Sequence, residues 1–442
     1  MTRLLWTLSL GVFAGALDLS VLSPALPALG REFTVQTGDL AWVFTLYLLV
    51  TVLSIAVASS LADRYGRRPI YLLCMALFAA GSIVAIVAPT YTIFLAGRAI
   101  QALGAGGIFP IATATIGDVV PADRRGATLG MVAATWGIAA IIGPSVGGVI
   151  THYLSWRYIF VANLPLAGVV MLLAARELPA SAPQRRKTLD VVGLVLLCNG
   201  LLLLMDGLII SSIAIGLGGV AILIGFAFWE RSASDPLIPL ALLRTPQLVR
   251  TYMLEIVVGM LEGSLFFIPA VLVGADGLSA AAAGFAAALG ALAFVIVIPA
   301  SGRALDRIGS RDVLLAGALF SEIGLALFAL YFSSLPLALL AIVIAGGGFG
   351  ALLGAPTRYI VTNEAPGHAR ATAVGLLSQA LIVGQILGSA LAGGLMSAAQ
   401  SEVAGYRHAY LAFAAIAFVA LILAASLKSR QEERRRPVEE PA

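Results

Sequence analysis

Charge is scarce in this sequence. Lysine and arginine total 27, and aspartate and glutamate 23, among 442 residues. That is 11% charged, against about 25% in a soluble domain. So few charges cannot cover a water-soluble protein of this size, which excludes most soluble enzymes. A disordered chain is excluded too, because it needs low hydrophobicity and high charge. Cysteine is nearly absent: Cys74 and Cys198 supply neither a disulfide scaffold nor a four-cysteine zinc site. Histidine is limited to His152, His368 and His408, all in or beside predicted loops. No Gly-x-x-x-x-Gly-Lys loop is present to hold a nucleotide, so ATP is not expected to drive the protein directly.

What is abundant is apolar sequence, at 60% of residues. A bilayer core of about 30 Å takes roughly 20 apolar residues in a helix. Fourteen such segments can be read, at approximately 4–26, 40–61, 70–88, 92–117, 126–150, 155–176, 190–210, 213–229, 250–273, 279–301, 312–332, 335–361, 369–398 and 405–428. The seventh and eighth are joined by little more than Ser211 and Ser212. The 47 glycines suit helices that pack closely without a hydrophobic driving force between them. Arg3 before an apolar run imitates a signal peptide, but no polar small-residue cleavage region follows and Asp18 interrupts the run. An uncleaved first helix is expected.

With the N-terminus in the cytoplasm, alternating sidedness places roughly 23 of the 27 basic residues in cytoplasmic segments. They include Arg64, Arg67, Arg68, Arg124, Arg125, Arg185, Arg186, Lys187, Arg303, Arg307, Arg311 and the Arg434–Arg436 cluster. The other side holds Arg31, Arg157 and Arg407, and Arg98 is left inside a helix. Both termini are therefore expected in the cytoplasm, with the chain in a cytoplasmic (inner) membrane. The pI near 9.2 then reports topology rather than a nucleic-acid partner.

The chain repeats itself. Ala62-Asp63-Arg64-Tyr65-Gly66-Arg67-Arg68 is echoed by Leu305-Asp306-Arg307-Ile308-Gly309-Ser310-Arg311. Pro121-Ala122-Asp123-Arg124-Arg125 is echoed around Pro366, and Gly143 with Gly147-Gly148 by Gly388 with Gly393-Gly394. The offset stays near 245 residues, which predicts two six-helix halves with an inserted pair between them. The expected division is 1–176, a linker with two inserted helices at 177–249, 250–428, and a tail at 429–442. Similar halves about an axis along the membrane normal are the architecture of a rocking transporter, with its cavity at their interface.

These residues resemble the major facilitator superfamily, and within it the fourteen-helix drug:proton antiporter branch. Leu17-Asp18-Leu19-Ser20-Val21-Leu22-Ser23-Pro24-Ala25-Leu26-Pro27 resembles that branch's first-helix pattern, with Ser23 and Pro24 departing from it. Ser59 through Arg68 resembles motif A, and Arg98-Ala99-Ile100-Gln101 resembles motif B. Gly143-Pro144-Ser145-Val146-Gly147-Gly148 resembles motif C, which the family associates with antiporters. Trp156-Arg157-Tyr158-Ile159-Phe160 and Asn163-Leu164-Pro165 resemble the start of the family's sixth helix. The resemblance implies an all-α polytopic fold and proton-coupled export of hydrophobic or cationic small molecules by alternating access. It implies no cofactor beyond the proton gradient, and a monomer surrounded by lipid.

An ionisable side chain in hydrocarbon costs roughly 2.5–3.5 kcal/mol on insertion scales, so each needs a reason. Six are read inside spans: Asp18, Arg98, Asp206, Glu255, Glu262 and Glu322. Asp18 and Arg98 both fall roughly 10–12 Å below the outer surface at 1.5 Å per residue. Equal depth permits an ion pair. The functional reading is a proton site; the plainer one is a fixed salt bridge between two helices. Glu262 falls near the midplane of the ninth helix and is a candidate for holding a cationic substrate or a second proton. Glu255 is expected nearer the interface, Asp206 solvated near the outer end of an inserted helix, and Glu322 in a polar inter-helix contact. Gln101, Asn163, Gln379 and Gln385 are candidates for lining the substrate site, or for simple helix–helix glue. Asp63, Arg67 and Asp118 read as a conformational latch: Asp63 to cap a helix of the other half, Arg67 to pair with Asp118. Gly143, Pro144, Gly147 and Gly148 read as close packing and a kink in the service of gating. Gly143 through Gly147 also fits the Gly-x-Ser-x-Gly hydrolase pattern, but a nucleophile elbow follows a strand, and here a membrane helix surrounds it.

A transporter, not an enzyme, is therefore expected. The competing readings are a lipid or glycolipid flippase on the same scaffold, a carrier specific for one metabolite, and a non-transporting membrane sensor or intramembrane enzyme.

Overall fold

The computed structural model describes residues 2–36, 38–179, 190–233, 237, 240–366 and 370–434. The side chains of 2, 122–127, 129, 130, 133, 240, 241, 276, 371, 433 and 434 are also left undescribed. The basic residues expected at 185–187 and 435–436 lie outside the described residues, as does His368 of the second loop repeat.

Every regular element among the described residues is helical. Fourteen spans are long and apolar enough to cross a membrane: α1 (Arg3–Phe33), α2 (Asp39–Tyr65), α3 (Arg67–Val87), α4 (Tyr91–Val119), α5 (Ala134–Tyr153), α6 (Arg157–Glu177) and α7 (Val191–Ile209), then α8 (Ile213–Glu230), α9 (Pro246–Ala275), α10 (Ala280–Ile308), α11 (Ser310–Tyr331), α12 (Leu335–Glu364), α13 (Thr372–Ser397) and α14 (Glu402–Glu432). The reason for helices is the solvent: lipid offers no partner to a backbone amide, so each span must satisfy its own.

The seventh and eighth spans, joined over Ser211 and Ser212, form as separate helices, with Ser211 in the left-handed region at φ 56°. Gly219 lies against the backbone of Leu204, and Gly207 against that of Gly216, so the hairpin closes backbone to backbone. The first span runs further than expected, to Phe33. Its helix stops at Val21, passes through a tight 3-10 turn at Ser23–Ala25, and resumes at Leu26–Phe33. Pro24 lies in that turn, where it cannot donate an amide hydrogen bond. The twelfth span is broken similarly, between Leu335–Leu352 and Ala355–Glu364.

The chain divides into two compact units. Unit 1 comprises residues 1–237 with 266–288 and 389–405; unit 2 comprises 238–265, 289–388 and 406–442. The core of unit 1 is built by Leu4, Leu8 and Val12 of α1 against Tyr71, Met75 and Phe78 of α3 and Ile108, Ile111 and Ile116 of α4. The core of unit 2 centres on Leu254, Val258, Leu314, Leu352 and Ile360.

Candidate functional site

Asp18 lies one turn before the break in α1 and is buried, at 1% exposure. Arg98 and Gln101 stand three residues apart on α4, hence on one face of it, and both are fully buried. Glycines bring this face up against α3. A Cβ on Gly81 would sit 2.7 Å from Gln101 Cα, and one on Gly97 2.8 Å from the Ala85 amide. Only bare backbone allows that approach, and it sets Ser82 beside Gln101.

The resulting polar network joins four spans of unit 1. Arg98 Nη1 donates to Asp18 Oδ2 at 2.5 Å and to Gln101 Oε1 at 2.6 Å. Gln101 Nε2 donates to Asp18 Oδ1 at 2.7 Å and to Ser82 Oγ at 3.0 Å. Asn163 Nδ2, from α6, donates to Asp18 Oδ1 at 2.8 Å. Ser82 Oγ in turn donates to the Phe78 carbonyl oxygen at 2.9 Å. Three donors therefore converge on one carboxyl group. Such an arrangement complements a carboxylate, and it must rearrange when either oxygen gains a proton and turns from acceptor to donor.

The guanidinium has a second neighbour. The Tyr47 ring of α2 lies 4.2 Å from Arg98 Cζ, and the Phe160 ring of α6 5.9 Å away. These aromatic faces attract the cation where its Nε and Nη2 find no hydrogen-bond partner. Beyond Phe160, an aromatic cluster of Phe33, Phe94 and Trp156 fills the same end of the unit, with Phe94 and Phe160 edge to face at 5.7 Å. Glu32 closes it by accepting from Trp156 Nε1 at 2.5 Å and pairing with Arg157.

Gln101 and Asn163, expected among residues lining a substrate site, thus have their amides committed to Asp18. Tyr47 and Ser82 complete the network and were not singled out in the sequence. The signal available for Ser82 was a lone hydroxyl within an apolar stretch of α3.

At the other end of α4, Arg67 is buried and pairs with Asp118, while also donating to the Ala114 carbonyl. Asp63 is half-buried and forms no ion pair with any described residue. Gly143 and Gly147 of α5 lie against α1: a Cβ on either would clash with Ser20 or with the Val21 backbone. Pro144 stands inside the α5 helix with its carbonyl against Gly284, and Gly148 meets Ala280, both of α10. Ser23, where the sequence departs from the first-helix pattern, donates to the Phe266 carbonyl.

In unit 2, Gln385 Nε2 of α13 donates to Glu262 Oε2 of α9 at 2.9 Å. The two helices cross closely here, since a Cβ on Gly259 would lie 2.9 Å from Gly384 Cα. Glu255 is buried within the protein, at 4% exposure, with a hydrogen bond to Thr357 and an unpartnered Oε2. The basic neighbour foreseen for it has a counterpart in Arg358, which acts on it electrostatically without forming an ion pair. Gln379 and Asp206 are half-buried, as is Glu322, for which no polar partner is found among the described residues.

A many-helix membrane protein with a fully buried ion pair tied across four spans belongs with transporters rather than with soluble catalysts. The chain is a member of the Major Facilitator Superfamily, whose model matches residues 8–234 and 251–442. It is 31% identical over 90% of its length to the uncharacterized MFS-type transporter YfiU of Bacillus subtilis (strain 168), covering 81% of that protein. It is 29% identical to the multidrug resistance protein Stp of Mycobacterium tuberculosis (strain CDC 1551 / Oshkosh), over 88% of this chain and 74% of that one. It is 26% identical to the riboflavin transporter RibZ of Clostridioides difficile (strain 630), over 81% and 80%. Among solved structures, a D-xylose–proton symporter matches with a TM-score of 0.73 at 15% identity, covering 98% of this chain and 99% of that one. That last likeness concerns the fold alone.

Proposed function

We propose that this chain is a proton-coupled antiporter of the drug:proton branch, exporting hydrophobic or cationic small molecules across the cytoplasmic membrane by alternating access. Asp18 is the proton carrier and Arg98 its counter-ion. The observation that carries the reading is the convergence of Arg98, Gln101 and Asn163 on the buried Asp18 carboxyl group. A proton arriving at Asp18 removes an acceptor from this network and weakens its pairing with Arg98. Because the donors sit on α4 and α6, the change in hydrogen bonding biases how these helices pack against α1. Substrate couples to the proton by favouring one of the two packings.

Glu262, held by Gln385, is the proposed contact for a cationic group, and Gln379 a weaker polar contact. The Arg67–Asp118 pair, with Asp63, is the proposed latch. Gly143, Pro144, Gly147 and Gly148 are the proposed packing surface on which α5 moves. The distribution of basic residues supports a cytoplasmic position for both termini.

The test is ethidium export by the purified full-length chain in liposomes. An imposed proton gradient should drive it, and collapsing the gradient should stop it. Gradient-independent movement of labelled lipid in the same vesicles would favour the flippase reading instead. Uptake of riboflavin with no response to ethidium would favour a metabolite carrier.

A further inference from the structure

Asp18 accounts for one buried carboxyl group, and unit 2 holds another that this mechanism leaves unused. Glu255 lies within α9 at 4% exposure, with Oε2 unpartnered. One hydroxyl, that of Thr357, hydrogen-bonds the group. An ionised carboxylate presents about four lone-pair sites to be satisfied, and a buried one without a partner is strongly penalised. The charged groups placed around it are few. Glu262 follows seven residues later on the same helix, two turns away on one face. Arg358 is the next residue after Thr357, on the second half of α12, and is itself exposed. The first half of α12, Leu335–Leu352, which also packs on α9, carries no titratable side chain. On α13, Gln385 is committed to Glu262.

Glu255 and the half-buried Glu262 lie on one helix face, so each acts on the other as a like charge when both are ionised. Asp18 meets three donors and a guanidinium. Glu255 meets one hydroxyl, the exposed Arg358 acting on it without an ion pair, and a like charge. The break at Leu353–Gly354 restarts the helix at Ala355, so that Thr357 lies in its first turn, able to give up the Glu255 contact without breaking an interior helix bond.

We propose that Glu255 is a second exchangeable proton site, coupled to Glu262 and independent of Asp18. It deepens the transport reading, in that a turnover would then move more than one proton. Its chemistry can be tested without any substrate. Infrared difference spectra of the full-length protein in liposomes read the carbonyl stretch of protonated carboxylic acids directly. The expected result is a protonated-carboxyl band at neutral pH that vanishes reversibly as pH is raised. Glu255→Gln should lose the band, and Asp18→Asn should keep it. Glu262→Gln should keep the band but move its midpoint downward in pH, because the like charge beside Glu255 is gone. Glu255→Gln mimics the neutral acid and should stay monodisperse; Thr357→Val, which alters the contact and spares the carboxyl group, should displace the midpoint. A band absent from the wild type, indifferent to pH, or retained in Glu255→Gln overturns the proposal. Failure of the wild type to move ethidium would count against the antiport reading and leave this spectroscopic outcome standing.

Discussion

Arg98 and Asp18 face each other with no solvent between them: Nη1 stands 2.5 Å from Oδ2, and both side chains are 0% exposed. A pair this deep offers little net stability on its own, because desolvation offsets attraction. Removing one partner is a different matter, since the other is left charged and buried, at a cost of about 3–5 kcal/mol. The pair is therefore a poor rivet and a good switch. Its network is held by neutral amides that can follow a proton without leaving a charge behind.

Gln101 is the hinge of that network, because it accepts from Arg98 and donates to Asp18. Gln101→Leu should destabilise the protein by about 1–3 kcal/mol, the cost of buried partners left unmet. Thermal unfolding in detergent measures this. Proton-driven ethidium export should fall more steeply than stability, while Ser82→Ala, which within the network removes only the contact to Gln101, should have a smaller effect on both.

Tyr47 offers Arg98 its ring and leaves its hydroxyl unpartnered. Tyr47→Phe should therefore retain transport and stability. Tyr47→Leu should lose about 1–2 kcal/mol with the cation–π contact. Equal loss in the two variants would show that the hydroxyl, not the ring, matters.

Arg67 and Asp118 should behave as one element. Arg67→Gln and Asp118→Asn should each raise gradient-independent leak of ethidium, and the double variant should be no worse than Arg67→Gln alone. Because Asp118 is 41% exposed, the loss of stability should be modest, within about 1 kcal/mol. Additive leak in the double variant would mean that the two residues act separately.

Close packing makes its own prediction. Gly147→Val forces a side chain into the Val21 backbone and should abolish transport with a large loss of stability. Gly117 and Gly168 have nothing within 4 Å of an added Cβ. Gly117→Ala and Gly168→Ala should be tolerated. Unfolding temperatures of the three variants, side by side, check the contrast.

The fourteen spans were legible because apolar runs of about 20 residues have few other uses. The Asp18–Arg98 pair was legible because both charges fell at one depth. Depth says nothing about azimuth, however. Whether Gln101 and Asn163 turn toward Asp18 or toward a substrate depends on helix rotation, which for Gln101 is held by the close packing at Gly81 and Gly97. Glu255 illustrates the same limit. Counting from Arg250 gives its depth but not its contact with Thr357 on the helix that resumes after Gly354, because no count along one span can anticipate a break in another. The break in α1 could have been read from Pro24, which lies where the helix stops.

The most direct test of the central claim is ethidium flux through Asp18→Asn in liposomes, with and without an imposed proton gradient. The account predicts that ethidium still equilibrates down its own gradient, or stops altogether, but no longer responds to the proton gradient. If Asp18→Asn accumulates ethidium against its concentration in proportion to the proton gradient, as the wild type should, Asp18 is not the proton carrier and the account is wrong.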